Sequence, residues 1–339
     1  MFRPKNFLAL MVAVGLAGCD GLLDPDEPGN LVPRTVDEDA TLPALELNGT
    51  RFHAETFGDP ARPVIVFVHG GPGGDYRSLL RLKEGYDRPA LTEQYYLVFW
   101  DQRGSGLSRR HDKDVLKLDV FIEDLRQLVD HFSPQAPVVL IGESWGGMYA
   151  TAFINRYPTR VRGAVLIEPG PLTGERMERI EDDMFTLDLG AEWLNDFVWS
   201  QQFLSPDDHA RMDYQRMLGY REAQPKFHQS FDVDPSPSWR LGAAASRYIQ
   251  EDGQDEDGKS IYDFTTNLSV FSKPVRFIAS GWNEVLGESF QREQMASYSR
   301  SDLRVVPEVG HDLSWVKPAE TLGWIHEYLE QLKAEGSAQ

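Results

Sequence analysis

Cysteine is nearly absent from this chain of 339 residues, with Cys19 the only one. That excludes an intrachain disulfide and any metal site built from several thiolates. Positive charge is scarce as well: 34 Lys and Arg stand against 53 Asp and Glu, for a formal net charge of −19. Nucleic-acid binding rests on a basic surface that neutralises phosphates, so that class of function is disfavoured. Long apolar runs are missing too. The stretch Phe7–Ala17 covers 11 residues, too few to cross a bilayer as a helix, which takes about 20. The glycine-rich segment at 70–74 lacks the lysine and hydroxyl residue of a P-loop, and Gly104-Ser105-Gly106 is only a fragment of a dinucleotide fingerprint. No internal repeat is visible, and neither a cofactor nor a metal is expected.

What is present begins with an address. Arg3 and Lys5 precede the short apolar run and Leu16-Ala17-Gly18-Cys19 closes it, the layout of a secretory signal peptide over residues 1–18. Small residues before a cysteine resemble the lipobox of bacterial lipoproteins. That resemblance implies cleavage before Cys19, lipidation of its sulfur and new amino group, and anchorage to a lipid bilayer of the cell envelope. An ordinary secretory signal with an incidental cysteine is the alternative. Residues 19–44, with Asp24-Pro25-Asp26-Glu27-Pro28-Gly29, read as a flexible tether.

From there the chain has enough apolar residues, 41%, for a large core. Asn48-Gly49 is a hairpin signal between two loosely alternating runs. Val64–Val68, Tyr95–Trp100, Val138–Ile141 and Gly163–Ile167 read as buried strands. Tyr76–Tyr86, Val120–Phe132 and Met148–Tyr157, lying between them, read as helices. Such alternation predicts an α/β fold, a mostly parallel sheet with helices on both faces. The rhythm stops after Pro171 and resumes at Val275–Ala279, a helix near Phe290–Tyr298, the strand Leu303–Val306 and a last helix from Pro318 to Lys333. One discontinuous core, residues 45–171 and 271–334, therefore carries an inserted helical cap over 172–270.

The chemistry is written at Gly142-Glu143-Ser144-Trp145-Gly146, a G-x-S-x-G sequence between a strand and a helix. A serine on so sharp a turn needs neighbours without a Cβ, which leave its hydroxyl clear. Serine is a poor nucleophile at neutral pH and needs a base, itself oriented by an acid. His311, on the loop after the strand Leu303–Val306, is the best-placed histidine, while His69 braces the glycine loop. The order serine, acid, histidine points to the loop after Val275–Ala279, where Glu284 is the chosen acid and Glu288 the reserve. Asn283 beside it could orient an imidazole but not balance its charge. The peptide N–H groups of Trp145 and Gly71 are the expected oxyanion donors, each worth about 3 kcal/mol of barrier.

His69-Gly70-Gly71-Pro72-Gly73-Gly74, Asp101-Gln102-Arg103-Gly104-Ser105-Gly106, Gly142–Gly147 and Gly310-His311-Asp312 together resemble the proline iminopeptidase branch of the α/β-hydrolase superfamily. The resemblance implies a serine exopeptidase that removes N-terminal residues, often proline, from short peptides. It carries Ser144 over as nucleophile, His311 as base, and Gly71 and Trp145 as oxyanion donors. The family usually has aspartate where this chain has Glu284. The cap offers no motif matching the carboxylates that hold the substrate amine in those peptidases, although Glu175, Glu178 and Glu181 crowd one stretch and are candidates for that role. A carboxylesterase or lipase acting on small esters, and a lipid-tethered binding protein with a relic site, are the competing readings.

Overall fold

The computed structural model describes residues 32–184, 208–219 and 236–337. Cys19 and the signal-peptide reading lie outside these residues. The side chain of Glu181 does too, as do large parts of the expected cap.

Among the described residues eight strands form one sheet: β1 (Ala44–Leu47), β2 (Thr50–Phe57), β3 (Val64–Val68), β4 (Tyr96–Trp100), β5 (Val138–Glu143), β6 (Val161–Ile167), β7 (Val275–Ser280) and β8 (Ser301–Val306). Their order is β1-β2-β4-β3-β5-β6-β7-β8. β1 and β2 pair antiparallel, as β2 does with β4, and every later pairing is parallel. The β1–β2 turn is Asn48-Gly49, both at positive φ (46° and 70°), as a tight hairpin of this type requires.

Side chains alternate across the parallel strands because the strand period is two. Val64, Val66 and Val68 of β3 join one core with Leu140 of β5. Ile65 and Phe67 join the other with Val139 and Ile141. Helices cover both faces, as buried parallel strands demand. On the first lie α1 (Leu118–Phe132), through Phe121, Leu125 and Leu128, and α2 (Trp145–Arg156). Among the described residues three α-helices lie within 172–270: α3 (Gly174–Met184), α4 (Asp208–Gly219) and α5 (Ala243–Asp252). Back in the core, α6 (Glu288–Met295) and the short α7 (Leu313–Val316) precede α8 (Pro318–Ser337), which packs on the second face through Leu322, Ile325 and Leu329. Among the described residues no helix is long and apolar enough to cross a membrane.

Two expectations need correction. The stretch Tyr76–Tyr86 holds only a 3-10 helix, Arg77–Lys83. The reading of 19–44 as a tether fails at its C-terminal end. Val36 is fully buried, its N–H donates to Leu107 O at 2.8 Å, and Arg240 Nη1 donates to Pro33 O at 3.0 Å. One valine among prolines and acids carries little sequence signal, but a single apolar side chain is enough to dock a segment.

Candidate active site

The site is assembled where β5, β6 and β7 end. Glu143 pairs with Ile167, and Ile167 with Ile278, so the three strand ends are abreast. Residues just beyond them become neighbours although they are far apart in sequence. Ser144 follows β5 at φ 55° and ψ −121°, a left-handed conformation costly for a residue with a Cβ. The cost is tolerated because the turn is held on both sides: Ser144 N–H donates to Ile167 O at 2.9 Å, and Gly147 N–H donates to Ser144 O at 2.9 Å. The glycines serve close approach. A Cβ on Gly146 would fall 1.9 Å from Val68 O, inside any contact distance. One on Gly70 would lie 3.2 Å from the Ser144 Cβ, so the glycine loop leans directly on the serine.

His311 follows β8 on its loop and lines the same cavity as Ser144. Its Nδ1 donates to Glu168 Oε2 at 2.7 Å, which makes Nε2 the nitrogen for proton transfer. The carboxylate on the imidazole is therefore Glu168, at the end of β6. The choice of Glu284 is corrected: that residue is exposed on the loop after β7, and the reserve Glu288 is exposed at the start of α6. Glu168 is completely buried at φ 42° and well satisfied. Its Oε1 accepts from Ser280 N at 2.8 Å and Ser280 Oγ at 2.5 Å, and its Oε2 accepts from Asn283 Nδ2 at 2.8 Å. Asn283 can only be oriented one way, because its Oδ1 already accepts the N–H groups of Val285 and Leu286, both at 2.9 Å. The loop after β7 thus supplies an amide that grips the acid, rather than the acid itself.

Burial opposes the charging of His311, but the Glu168 hydrogen bond and the negative charges of Glu168, Asp312 and Glu143 outweigh it and raise its pKa above the ordinary 6.5. His69 goes the other way: fully buried, it is pushed down by desolvation and kept neutral. Its Nδ1–H donates to Gly70 O at 2.8 Å, and its Nε2 accepts from Gln102 N at 3.0 Å. Gln102 also donates to His69 O at 2.8 Å and accepts from Trp145 Nε1 at 3.0 Å. This one glutamine ties the glycine loop to the residue after the serine. The bracing role read for His69 agrees with this geometry.

Gly71, at φ 135° before a cis Gly71–Pro72 bond, lines the cavity. Trp145 opens α2, where a peptide N–H has no acceptor within its own helix. The cavity, about 600 Å³, is bounded by the glycine loop, the Ser144 turn, the His311 loop and the returning cap segment Ser236–Ser246. Gly242 N–H donates to Gly73 O at 2.7 Å, fastening cap to glycine loop. Asp75, lifted by burial to about 6, accepts from Ser238 Oγ and Trp239 N at 2.6 Å each. Two of the three expected cap acids do not meet expectation. Glu175 and Glu178 are exposed on α3 and do not line this cavity.

The α/β hydrolase fold family matches residues 63–318. The chain belongs to that family. Among curated relatives, the proline iminopeptidase of Lactobacillus helveticus is 22% identical over 289 residues, 80% of this chain and 90% of that protein. The cis-3-alkyl-4-alkyloxetan-2-one decarboxylase of Shewanella oneidensis is 30% identical over 247 residues, 70% of this chain and 71% of that one. The structure of the proline iminopeptidase-related protein from Thermus thermophilus superposes with a TM-score of 0.58 at 20% identity, covering 86% of this chain and 97% of that one. A thermophilic esterase from Thermogutta terrifontis gives 0.55 at 19%, covering 86% and 97%. At these identities the solved structures show the fold alone, and peptidases and esterases share it.

Proposed function

We propose that this α/β hydrolase is a serine hydrolase, and specifically an aminopeptidase of proline iminopeptidase type acting on short peptides. The observation that carries the first part is the buried Glu168–His311 pair, which opens on the same cavity as a serine at an elbow. In this reading His311 Nε2 takes the Ser144 hydroxyl proton as Oγ attacks the scissile carbonyl. The oxyanion is met by the peptide N–H groups of Gly71 and Trp145, and Glu168 balances the imidazolium. His311 then gives the proton to the leaving amine, and water resolves the acyl-enzyme by the same steps. The peptidase part is supported by the paired glycine-loop and D-Q-R-G-S-G segments and by the proline iminopeptidase relatives.

Labelling with a fluorophosphonate probe tests the nucleophile, with Ser144→Ala expected to abolish both the label and turnover. Aminoacyl-β-naphthylamides against p-nitrophenyl esters test the substrate class. An esterase is the second reading, favoured by the exposure of Glu175 and Glu178, which leaves the expected amine grip unassigned in the cap. Cleavage of esters alone would establish it. The proposal also holds the enzyme to an envelope membrane through acylated Cys19. Palmitate labelling of intact cells should then disappear in Cys19→Ser.

A further inference from the structure

The aminopeptidase reading needs a group that senses a free α-amine, and the exposed cap acids on α3 do not provide one at the cavity. Among the described residues, the acids that line it or lie behind it differ in how they are occupied. Asp75 accepts from Ser238 Oγ, from the backbone N–H groups of Trp239 and Arg240 on one oxygen, and from Arg77 N–H on the other. Glu168, behind the wall, is committed to His311, Ser280 and Asn283. Glu143 is different. It immediately precedes Ser144, is half-buried, and lines the cavity. Its Oε1 is buried and makes no hydrogen bond of normal geometry among the described residues, with only the Ser314 hydroxyl beside it as a possible donor. A carboxyl oxygen in that condition is costly unless something brings it a proton or a positive charge.

Resting on the aminopeptidase reading, we propose that Glu143 is the residue that recognises the substrate's N-terminal ammonium group. A peptide whose first carbonyl carbon sits at Ser144 Oγ carries its ammonium one carbon away, within reach of the residue that precedes the serine. The ammonium carries a full positive charge and two N–H donors on an N-terminal proline, three on other residues, the complement of a partly desolvated, under-satisfied carboxylate. Burial, helped by the negative charges of Asp312 and Glu168 and only partly offset by the Ser314 hydroxyl and His311, has lifted the Glu143 carboxyl to about 7. The negative charge of Asp312 on the same wall adds to the attraction. No covalent step is involved: Glu143 positions the substrate and selects against acyl groups without an amine.

The test compares prolyl-β-naphthylamide with cyclopentanecarbonyl-β-naphthylamide, which has the same shape without the amine, in wild type, Glu143→Gln and Glu143→Asp. The ratio of kcat/KM for the two substrates should fall at least tenfold in Glu143→Gln, mostly through KM, and be largely restored in Glu143→Asp. Inhibition of ester hydrolysis by pyrrolidine should weaken in parallel. A bracing role alone would lower both substrates together and leave the ratio unchanged, which overturns the proposal; so does an unchanged ratio with unchanged rates. If wild type cleaves neither amide while cleaving esters, the peptidase reading itself has failed. That outcome is seen before any variant is made.

Discussion

Glu168 sits one residue beyond an apolar strand and is completely buried, the setting in which a carboxylate persists only if it is fully hydrogen-bonded. Removing its charge while keeping its shape should be revealing. Glu168→Gln is expected to cut kcat by up to about 10⁴-fold, whereas Glu284→Gln should change it by less than about twofold; steady-state kinetics on one ester substrate checks both. The pH profile follows from the same pair. A raised His311 pKa means that the imidazolium survives to higher pH, so activity should be present above that pKa and lost as pH falls through it. The midpoint should lie above 6.5, and in Glu168→Gln it should move to lower pH. A midpoint that stays put would detach Glu168 from the base. The sequence hid this residue for a simple reason: the chain order serine, acid, histidine is satisfied equally by Glu168 and Glu284. Nothing in one sequence says which strand end faces the histidine. The one available hint was a charge placed directly after Ala164–Ile167 with no polar residue between.

At the scale of elements, β5 and α2 form a unit whose glycines are dictated by packing. Gly146 faces the backbone of β3, which cannot yield as a side chain could. Gly146→Ala should therefore destabilise by about 3 kcal/mol or more, measurable as a shift in denaturant midpoint, and should reduce activity by displacing the serine. This part of the site was legible because its constraints are local: a strand, a tight turn and a helix write themselves into consecutive residues. The parallel strands were legible for a related reason, since burial on both faces leaves continuous apolar runs such as Val64–Val68. Arg77–Lys83 was harder, because Leu79 and Leu82, its fully buried leucines, fit a three-residue period and an α-helical one alike over so short a span.

For the whole molecule the decisive joints lie between core and cap. Asp213 of α4, completely buried, accepts from Arg110 Nε of the core at 2.9 Å and from Arg240 Nε of the returning segment at 2.7 Å. Its other oxygen accepts from Ala243 N–H at the start of α5, also at 2.9 Å. Breaking a buried ion pair by removing one partner costs about 3–5 kcal/mol, so Asp213→Ala should lower the melting temperature markedly. It should also raise KM more than it lowers kcat, because the cavity wall loosens while the Glu168–His311 pair stays. The Arg110 contact spans 103 residues and the other two 27 and 30, and the sequence offers no periodicity from which to read them. The N-terminal segment belongs to the same joint. A chain beginning at residue 40 should melt below one beginning at residue 32, since burial of Val36 contributes about 1.5–3 kcal/mol.

Pro33 meets Arg240 at the place where the returning segment forms the cavity wall. Tension applied upstream of that proline would therefore be delivered first to the chamber over Ser144 rather than to the sheet. With the proposed lipid anchorage at Cys19, the tether would act as a bridle on the enzyme, so crowding or stretching at its point of attachment would change how readily substrate enters.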